Sequence, residues 1–494
     1  MKATLLGIDA GTTGVTVILY DEDLRPLRRA YSEFAQHYPQ PGHVEHDAAE
    51  IGDVVLRLVR EVADDPPAPV AGVGITNQRE TLVALDADTG RPIARAIVWQ
   101  CRRSAAICAQ LRDDGHEPAY RQATGLLLDP YFSGTKMRWL LENDEAVGAA
   151  ARAGRLRLVT VDAFLVHLLT GGRVLATDPT NASRTLVYDI HARAWSADLM
   201  GPLGVDPGMM PEVRPSAGDF GVTAADRVGF AAPIAGVAGD QQAALFGQGC
   251  HQPGTAKNTY GTGCFFLVNA GSAPPTAPDG VLTTLAAGPK GEAVYALEGS
   301  VFVAGAAVQW LRDELGLIGD AAETAALAAS LDDNGGVYLV PAFTGLGAPW
   351  WDPDARGVLC GLTRGSSRAH IARAALESIA YQTSDLFALL KDAAGHAVNE
   401  LRVDGGAARN DWLMQFQADV LGVPVTRGED LETTCRGAAL LAGFEVGVVS
   451  DPLGVAALAE DRSVFQPTMD EAVRDGCVAE WHRAVRRARS DVAP

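Results

Sequence analysis

Two periodicities alternate along the chain. Short runs of β-branched and aliphatic residues, bounded by Gly, Asp or Thr, predict strands, and longer stretches with apolar residues three and four apart predict helices. Residues 5–9 predict a strand running into the turn Gly11-Thr12-Thr13-Gly14, and residues 15–21 its hairpin partner. Further strands are predicted over residues 70–76, 81–86, 93–99 and 156–161. The last is followed by Asp162 as an N-cap, a short helix, and Gly171-Gly172 as its stop.

The second half repeats this logic. Residues 257–260 lead into Gly261-Thr262-Gly263, and residues 265–269 lead out. Residues 401–404 enter Gly405-Gly406, and a helix over about 410–421 follows, stopped by Gly422 with Pro424 beyond. The strongest helical pattern covers residues 366–390, where Ile371, Ala375, Ile379, Leu386 and Leu390 fall near one face. Each half thus carries a strand–turn–strand unit among alternating strands and helices, the pattern of an α/β domain. Glycines and Pro253 cluster over residues 245–256, so the expected division is 1–248 and 249–494.

Length supports two or three units, since 494 residues exceed the roughly 100–200 of one domain. A net charge of −20 repels polyanions, which argues against nucleic acid or an anionic lipid surface as a partner. A nucleotide site on such a surface must supply its own donors. The first residues reach Asp9 after too few apolar positions for a secretory segment, and no run approaches the roughly 18 residues of a membrane span. The seven scattered cysteines form no CxxC pair, so a reducing, cytoplasmic location is expected and a structural zinc site is not.

The turns carry the candidate chemistry. In Asp9-Ala10-Gly11-Thr12-Thr13-Gly14, glycines let the backbone approach an anion, threonines add donors, and a carboxylate at the strand end suits Mg²⁺. A Gly-rich hairpin capped by Asp9 is the plainer reading. No Lys follows the glycines of Gly261-Thr262-Gly263 and no helix opens there, so it is not a Walker A loop. Gly405-Gly406 is a third turn of this kind, and two facing turns make a cleft for a nucleotide. Arg79-Glu80 places a fork of donors beside two acceptors, although by themselves they read as an exposed ion pair. Asp240, after Ala238-Gly239, reads equally as an N-cap for residues 241–248 or as a general base.

Longer blocks decide between these readings. They are Gly74-Ile75-Thr76-Asn77-Gln78-Arg79-Glu80, Trp99-Gln100-Cys101-Arg102-Arg103, Asp129-Pro130-Tyr131-Phe132-Ser133-Gly134-Thr135-Lys136, Thr180-Asn181-Ala182-Ser183-Arg184-Thr185 and Gly239-Asp240-Gln241-Gln242, with 257–264, 341–349 and 361–365. In this order and over essentially the whole chain, the sequence resembles the FGGY carbohydrate kinases, most closely those acting on glycerol. The resemblance implies a two-domain α/β actin/hexokinase-like (ribonuclease H-like) fold with ATP and polyol in the interdomain cleft. It implies transfer of the γ-phosphoryl group to glycerol, giving sn-glycerol 3-phosphate, and a homo-oligomer, dimer or tetramer. By the same resemblance, Arg79, Glu80, Trp99, Tyr131, Gln241 and Phe265 bind glycerol and Asp240 is the base. Thr12, Thr13, Gly261, Thr262, Gly305, Gln309, Gly406 and Asn410 bind ATP, and Asp9 orders Mg²⁺. Two alternatives stay open: a kinase of another small polyol or ketose, and a non-catalytic ATP-binding assembly protein on the same fold.

The chain departs from the family pattern at the first turn, where Gly14 replaces a serine and Thr16 an arginine that approaches the phosphates. Arg409 is a candidate substitute. The stretch 223–233 lacks the Gly-Gly cluster of an inhibitory sugar-bisphosphate loop, so that inhibition is not expected. Residues 465–494 end in a basic helical pattern, His482, Arg483, Arg486, Arg487 and Arg489, read as a solvated face.

Overall fold

The computed structural model describes residues 3–288, 290–451 and 462–491. Its first sheet contains β1 (Thr4–Ala10), β2 (Gly14–Tyr20), β3 (Pro26–Glu33), β4 (Val70–Asn77) and β5 (Ile234–Gly239), in the order β5-β4-β1-β2-β3. Its second contains β6 (Ala256–Tyr260), β7 (Cys264–Gly271), β8 (Leu282–Ala286), β9 (Val294–Val301), β10 (Leu401–Asp404), β11 (Val425–Gly428) and β12 (Arg462–Phe465), in the order β8-β9-β7-β6-β10-β11-β12. In each, a first strand pairs antiparallel with its hairpin partner and parallel with a later strand: β1 with β2 and β4, β6 with β7 and β10. The two halves therefore repeat one topology, the two-domain α/β arrangement expected from the sequence.

Seven helices matter to the site: α1 (Ala48–Val62), α2 (Asp240–Gly247), α3 (Gly305–Asp313), α4 (Arg368–Ala393), α5 (Asp411–Leu421), α6 (Thr433–Glu445) and α7 (Glu471–Ala488). The first sheet is buried on both faces because successive residues of β1 feed different cores. Leu6 and Ile8 join Ile51, Val55 and Leu58 of α1, while Leu5 joins Ile18, Tyr20 and the α6 residues Cys435, Ala439 and Leu440. So α6, far into the second half of the chain, packs on the first half's sheet.

Glycine allows that packing. A Cβ on Gly74 of β4 would lie 2.1 Å from Ala438 O, and one on Gly236 of β5 2.6 Å from the same oxygen. α6 also crosses α2 backbone to backbone: a Cβ on Gly437 would lie 1.9 Å from Ala243 O, and one on Gly247 2.3 Å from Thr433 O. Among the described residues no helix is long and apolar enough to cross a membrane.

Several local expectations are corrected. Over residues 93–99 only Ala96–Ile97 is strand. Thr160, not Asp162, occupies the N-cap of helix Val161–Leu169, and Asp162 is buried in its first turn, bonded by Thr177 Oγ1 at 2.6 Å. Gly239 is the N-cap of α2, which makes Asp240 the first helical residue. The predicted face of α4 is a poor description, since Glu377, Tyr381, Thr383 and Asp385 are buried with the apolar residues while Ile371 is only partly covered. In α7, Arg483, Arg486 and Arg487 are exposed as expected, but His482 Nε2 bonds Asp385 Oδ1 at 2.7 Å beside buried Trp481.

Candidate active site

In a parallel α/β sheet the strand-end amides and following helix termini point one way, so ligands gather at the carboxyl ends of the strands. Every candidate turn lies there. β1 ends in Asp9-Ala10, β4 leads into Gln78-Arg79-Glu80, β5 into Asp240, β6 into Gly261, and β10 into Gly405. The register keeps these ends level: Asp9 pairs with Thr76, Asn77 with Gly239, and Thr259 with Asp404.

The structure brings the predicted polyol residues together. Trp99 packs edge-on against Tyr131 and Phe265, with ring centroids 5.6 and 6.2 Å away. Arg79 Nη2 donates to Tyr131 Oη at 3.3 Å, and Arg79 Nε lies 3.3 Å from Asp240 Oδ1. Glu80 Oε1 lies 3.7 Å from Arg79 Nε and accepts from Arg184 Nε at 2.7 Å. Gln241 Oε1 accepts from Lys257 Nζ at 2.5 Å. Three aromatic rings and several convergent polar groups make a set suited to a small, hydroxyl-rich molecule.

Residues not assigned from the sequence hold this set in place. Glu298 of β9 accepts from Arg79 Nη1 and Nη2 at 2.6 and 2.9 Å and from Arg184 Nη2 at 2.9 Å. Burial would raise its pKa, but Arg184 and Arg79 outweigh burial and hold the carboxyl at about 2. Lys136 Nζ donates to the carbonyls of Glu80 and Tyr131 at 3.0 and 2.5 Å, joining two segments of the pocket. Burial lowers Lys136 and Lys257 alike to about 8, against the pull of Glu80 on the first and of Asp404 and Asp240 on the second. Burial also pushes Asp240 above the usual carboxylate range; Glu80 adds to this, while Arg79 and Lys257 oppose it. For Glu298 a sequence signal was available, since it is a lone charge inside the largely apolar strand Val294–Val301.

The first Gly/Thr turn, predicted to bind nucleotide, is braced from behind. Trp99 Nε1 donates to Thr12 Oγ1 at 2.9 Å, while Thr13 is exposed. Gln36 Nε2 donates to Thr12 O at 3.0 Å and Gln78 Nε2 to Gly11 O at 3.2 Å. Buried His46 stands between them, its Nε2 2.8 Å from Gln36 Oε1 and its Nδ1 3.2 Å from Gln78 Nε2. Gln78 Nε2 can only donate, so His46 Nδ1 accepts and its proton sits on Nε2.

In the second lobe, Gly305 N and Ala304 N at the start of α3 donate to Gly261 O and Thr262 O at 3.0 and 2.8 Å, locking that turn to the helix. Gln309 is exposed about one turn along, and Gly406 is exposed with nothing within 4 Å of where a Cβ would stand. Asn410 has a structural task as well: Oδ1 caps α5 by accepting from Leu413 N at 3.0 Å, and Nδ2 donates to Thr324 Oγ1 at 3.3 Å.

Asp9 closes the first strand with a buried Oδ1 that has no hydrogen-bond partner. Burial, Asp240 and Glu432, in that order, drive its pKa well above the usual range. Thr16 is its cross-strand neighbour, so the replaced arginine would have stood beside this carboxylate. Gly14 leaves no room for the family's serine, since a Cβ would lie 2.7 Å from Ser32 O. Arg409 lines a cavity of about 550 Å³ with Arg427, Glu429 and Ser463, in the second lobe rather than beside Asp9.

With this geometry, the comparisons with known proteins agree. Residues 4–247 match the N-terminal domain of the FGGY family of carbohydrate kinases, and residues 256–446 match its C-terminal domain. The chain is 52% identical over 492 residues to a glycerol kinase of Symbiobacterium thermophilum, covering 99% of each. It is 52% identical over 493 residues to one of Pseudomonas putida strain F1, covering 99% of this chain and 97% of the other. Among solved structures, Plasmodium falciparum glycerol kinase with ADP superposes with a TM-score of 0.92 at 34% identity, covering 99% of this chain and 98% of the other. A Brucella ovis structure described as a xyloylose kinase gives 0.85 at 26% identity, covering 98% of each. The chain belongs to the FGGY family of carbohydrate kinases.

Proposed function

We propose that this protein phosphorylates glycerol with ATP, giving sn-glycerol 3-phosphate and ADP. The observation that carries the reading is the connected set in which Arg79 touches Asp240, Glu80 and Tyr131, and Trp99 packs on Tyr131 and Phe265, in a chain 52% identical over 492 residues to a glycerol kinase. Glycerol offers hydroxyls and little else, so its recognition needs donors and acceptors whose directions are already set. Arg79 cannot turn away: Glu298 holds both terminal nitrogens, which leaves Nε facing Asp240.

Asp240 is the general base. Its carboxylate takes the proton of the terminal hydroxyl as the new O–P bond forms and the bond from the γ-phosphorus to the β-phosphate oxygen breaks. Its raised pKa makes it the better acceptor, and Arg79 with Lys257 favours the ionised form that the step requires. Trp99 serves both substrates, walling the polyol pocket and fixing the Thr12 hydroxyl at the phosphate turn.

The unpartnered, buried Asp9 oxygen, which feels the negative charge of Asp240 and Glu432, fits Mg²⁺. Among the described residues there is no group of three His, Cys, Asp or Glu to enclose a metal, so Asp9 would hold an ion otherwise shared with phosphate oxygens and water. When bound, the ion offsets the negative charge of the phosphates.

ADP release from MgATP with and without glycerol tests the reading. Glycerol should stimulate release strongly, and Asp240→Asn should cut kcat by about 10²–10⁴-fold with a smaller change in the KM for glycerol. Stimulation by a ketose or larger polyol but not by glycerol would transfer the reading to that substrate. Polyol-independent hydrolysis at the full rate would overturn it.

A further inference from the structure

We propose that Thr180, held by Asp178, is a positioning residue that sets where Asp240 stands by fixing the Gly239 amide at the strand end that precedes it. The inference rests on Asp240 being the base.

Asp178 and Thr180 are wholly buried. Asp178 caps the short helix Pro179–Ala182, and five donors converge on its carboxylate. Oδ1 accepts from Thr180 Oγ1 at 2.9 Å, Asn181 N at 2.9 Å and Asn181 Nδ2 at 3.0 Å. Oδ2 accepts from Thr180 N at 3.0 Å and Ser216 Oγ at 2.7 Å. Five donors already point at the two carboxylate oxygens and Gly239 N points at the Thr180 oxygen, so the single hydroxyl proton of Thr180 is committed to Asp178. The Thr180 oxygen is thereby left as an acceptor, and Gly239 N donates to it at 2.8 Å.

Gly239 ends β5 and caps α2, so this bond fixes the Ala238–Gly239 peptide plane, one residue before Asp240, and with it the point at which the strand hands over to the helix that carries Asp240. No side chain can take over the task. A Cβ on Gly239 would lie 2.6 Å from Arg79 Cγ, because the stem of Arg79 rests on this glycine. The same cluster grips the neighbouring strand end: Asn77 Nδ2 donates to Asn181 Oδ1 at 3.0 Å, two residues before Arg79. One buried carboxylate therefore sets the spacing of the strand ends that carry Asp240 and Arg79, neither of which it touches.

Phosphoryl transfer by positioning is sensitive to such spacing, since a displacement of about 1 Å can cost about 10²-fold in rate. Thr180→Val keeps the shape, removes the acceptor for Gly239 N and leaves Asp178 a donor short. We expect kcat to fall about 10–100-fold with both KM values within about threefold. Thr180→Ser restores the hydroxyl and should recover kcat to within about threefold of the parent. Ser216→Ala disturbs the same carboxylate without touching Gly239, so it should lower thermal stability and leave kcat in place. Wild-type kcat in Thr180→Val overturns the proposal, as does a loss in Ser216→Ala or Thr180→Ser equal to that in Thr180→Val. If Thr180→Val does not fold, Thr180→Cys is judged by the same criteria. Adding Thr180→Val to Asp240→Asn should cost little more than Asp240→Asn alone, and a fully multiplicative loss overturns the proposal. An active Asp240→Asn variant would instead remove the base assignment on which the proposal rests.

Discussion

His46 shows how a buried side chain can support a loop it does not belong to. It links Gln36 and Gln78, whose amides hold the carbonyls of Thr12 and Gly11. Burial, aided by His37, lowers its pKa from 6.5 to about 4. In the unfolded chain the ring takes a proton near 6.5, whereas in the folded protein it stays neutral down to about 4. The unfolded state therefore binds more protons in that window, and stability falls as pH falls from 6.5 to 4, by at most roughly 3 kcal/mol. Thermal melts of His46→Gln should show a shallower loss of midpoint between pH 6.5 and 4.5 than the parent. An unchanged slope would assign the acid sensitivity to other groups. The expectation at this scale that Asp240 either caps a helix or serves the site has a mixed outcome: Gly239 is the N-cap, while Asp240 Oδ1 accepts from Gln241 N at 2.7 Å and lies 3.3 Å from Arg79 Nε.

At the scale of elements, the crossing of α2 and α6 is where the two halves of the chain meet most closely. The backbones touch at Gly247 and Gly437, and α6 lies on glycines of β4 and β5. A methyl group at Gly437 would meet a backbone carbonyl rather than a side chain, and carbonyls of a packed helix cannot step aside cheaply. Gly437→Ala should destabilise the protein by roughly 1–3 kcal/mol, read as a lower thermal midpoint. Gly476→Ala, on α7 with nothing within 4 Å of its added methyl, is the matched control and should not lower it. The strands and most helices were legible as periodic patterns. The helix over 366–390 was legible as a helix but not in its environment, because burial on nearly all sides leaves no clean polar stripe. The strand over residues 93–99 failed because an apolar run does not show how far a neighbouring strand accompanies it.

Across the whole molecule, one ion-pair network spans the cleft. Glu298 belongs to the second sheet, while Arg79 and Arg184 come from the first half of the chain. Removing its charge leaves two buried arginines facing each other with less compensation. Glu298→Gln should cost roughly 3–5 kcal/mol of stability and raise the KM for glycerol as Arg79 loses its anchor. A variant with unchanged melting and unchanged KM would show that the network only fills space. The chain's net charge of −20 leaves this site little affected by long-range attraction, since the cations that matter are enclosed and locally paired.

The sequence by itself determined the alternation of strands and helices, the glycine turns that end β1, β6 and β10, and the family, because each is written in contiguous residues whose local geometry does not depend on distant ones. Most residues of the proposed polyol site were also legible, through blocks such as Asn77-Gln78-Arg79-Glu80. Only the tertiary structure decided that Glu298 anchors Arg79, that Thr180 reaches Gly239, that His46 braces the first turn, and that α6 covers the other half's sheet. Those pairings join residues far apart in the chain. They exist because strand register and glycine-mediated helix packing place them within hydrogen-bond reach, and no local pattern encodes that distance.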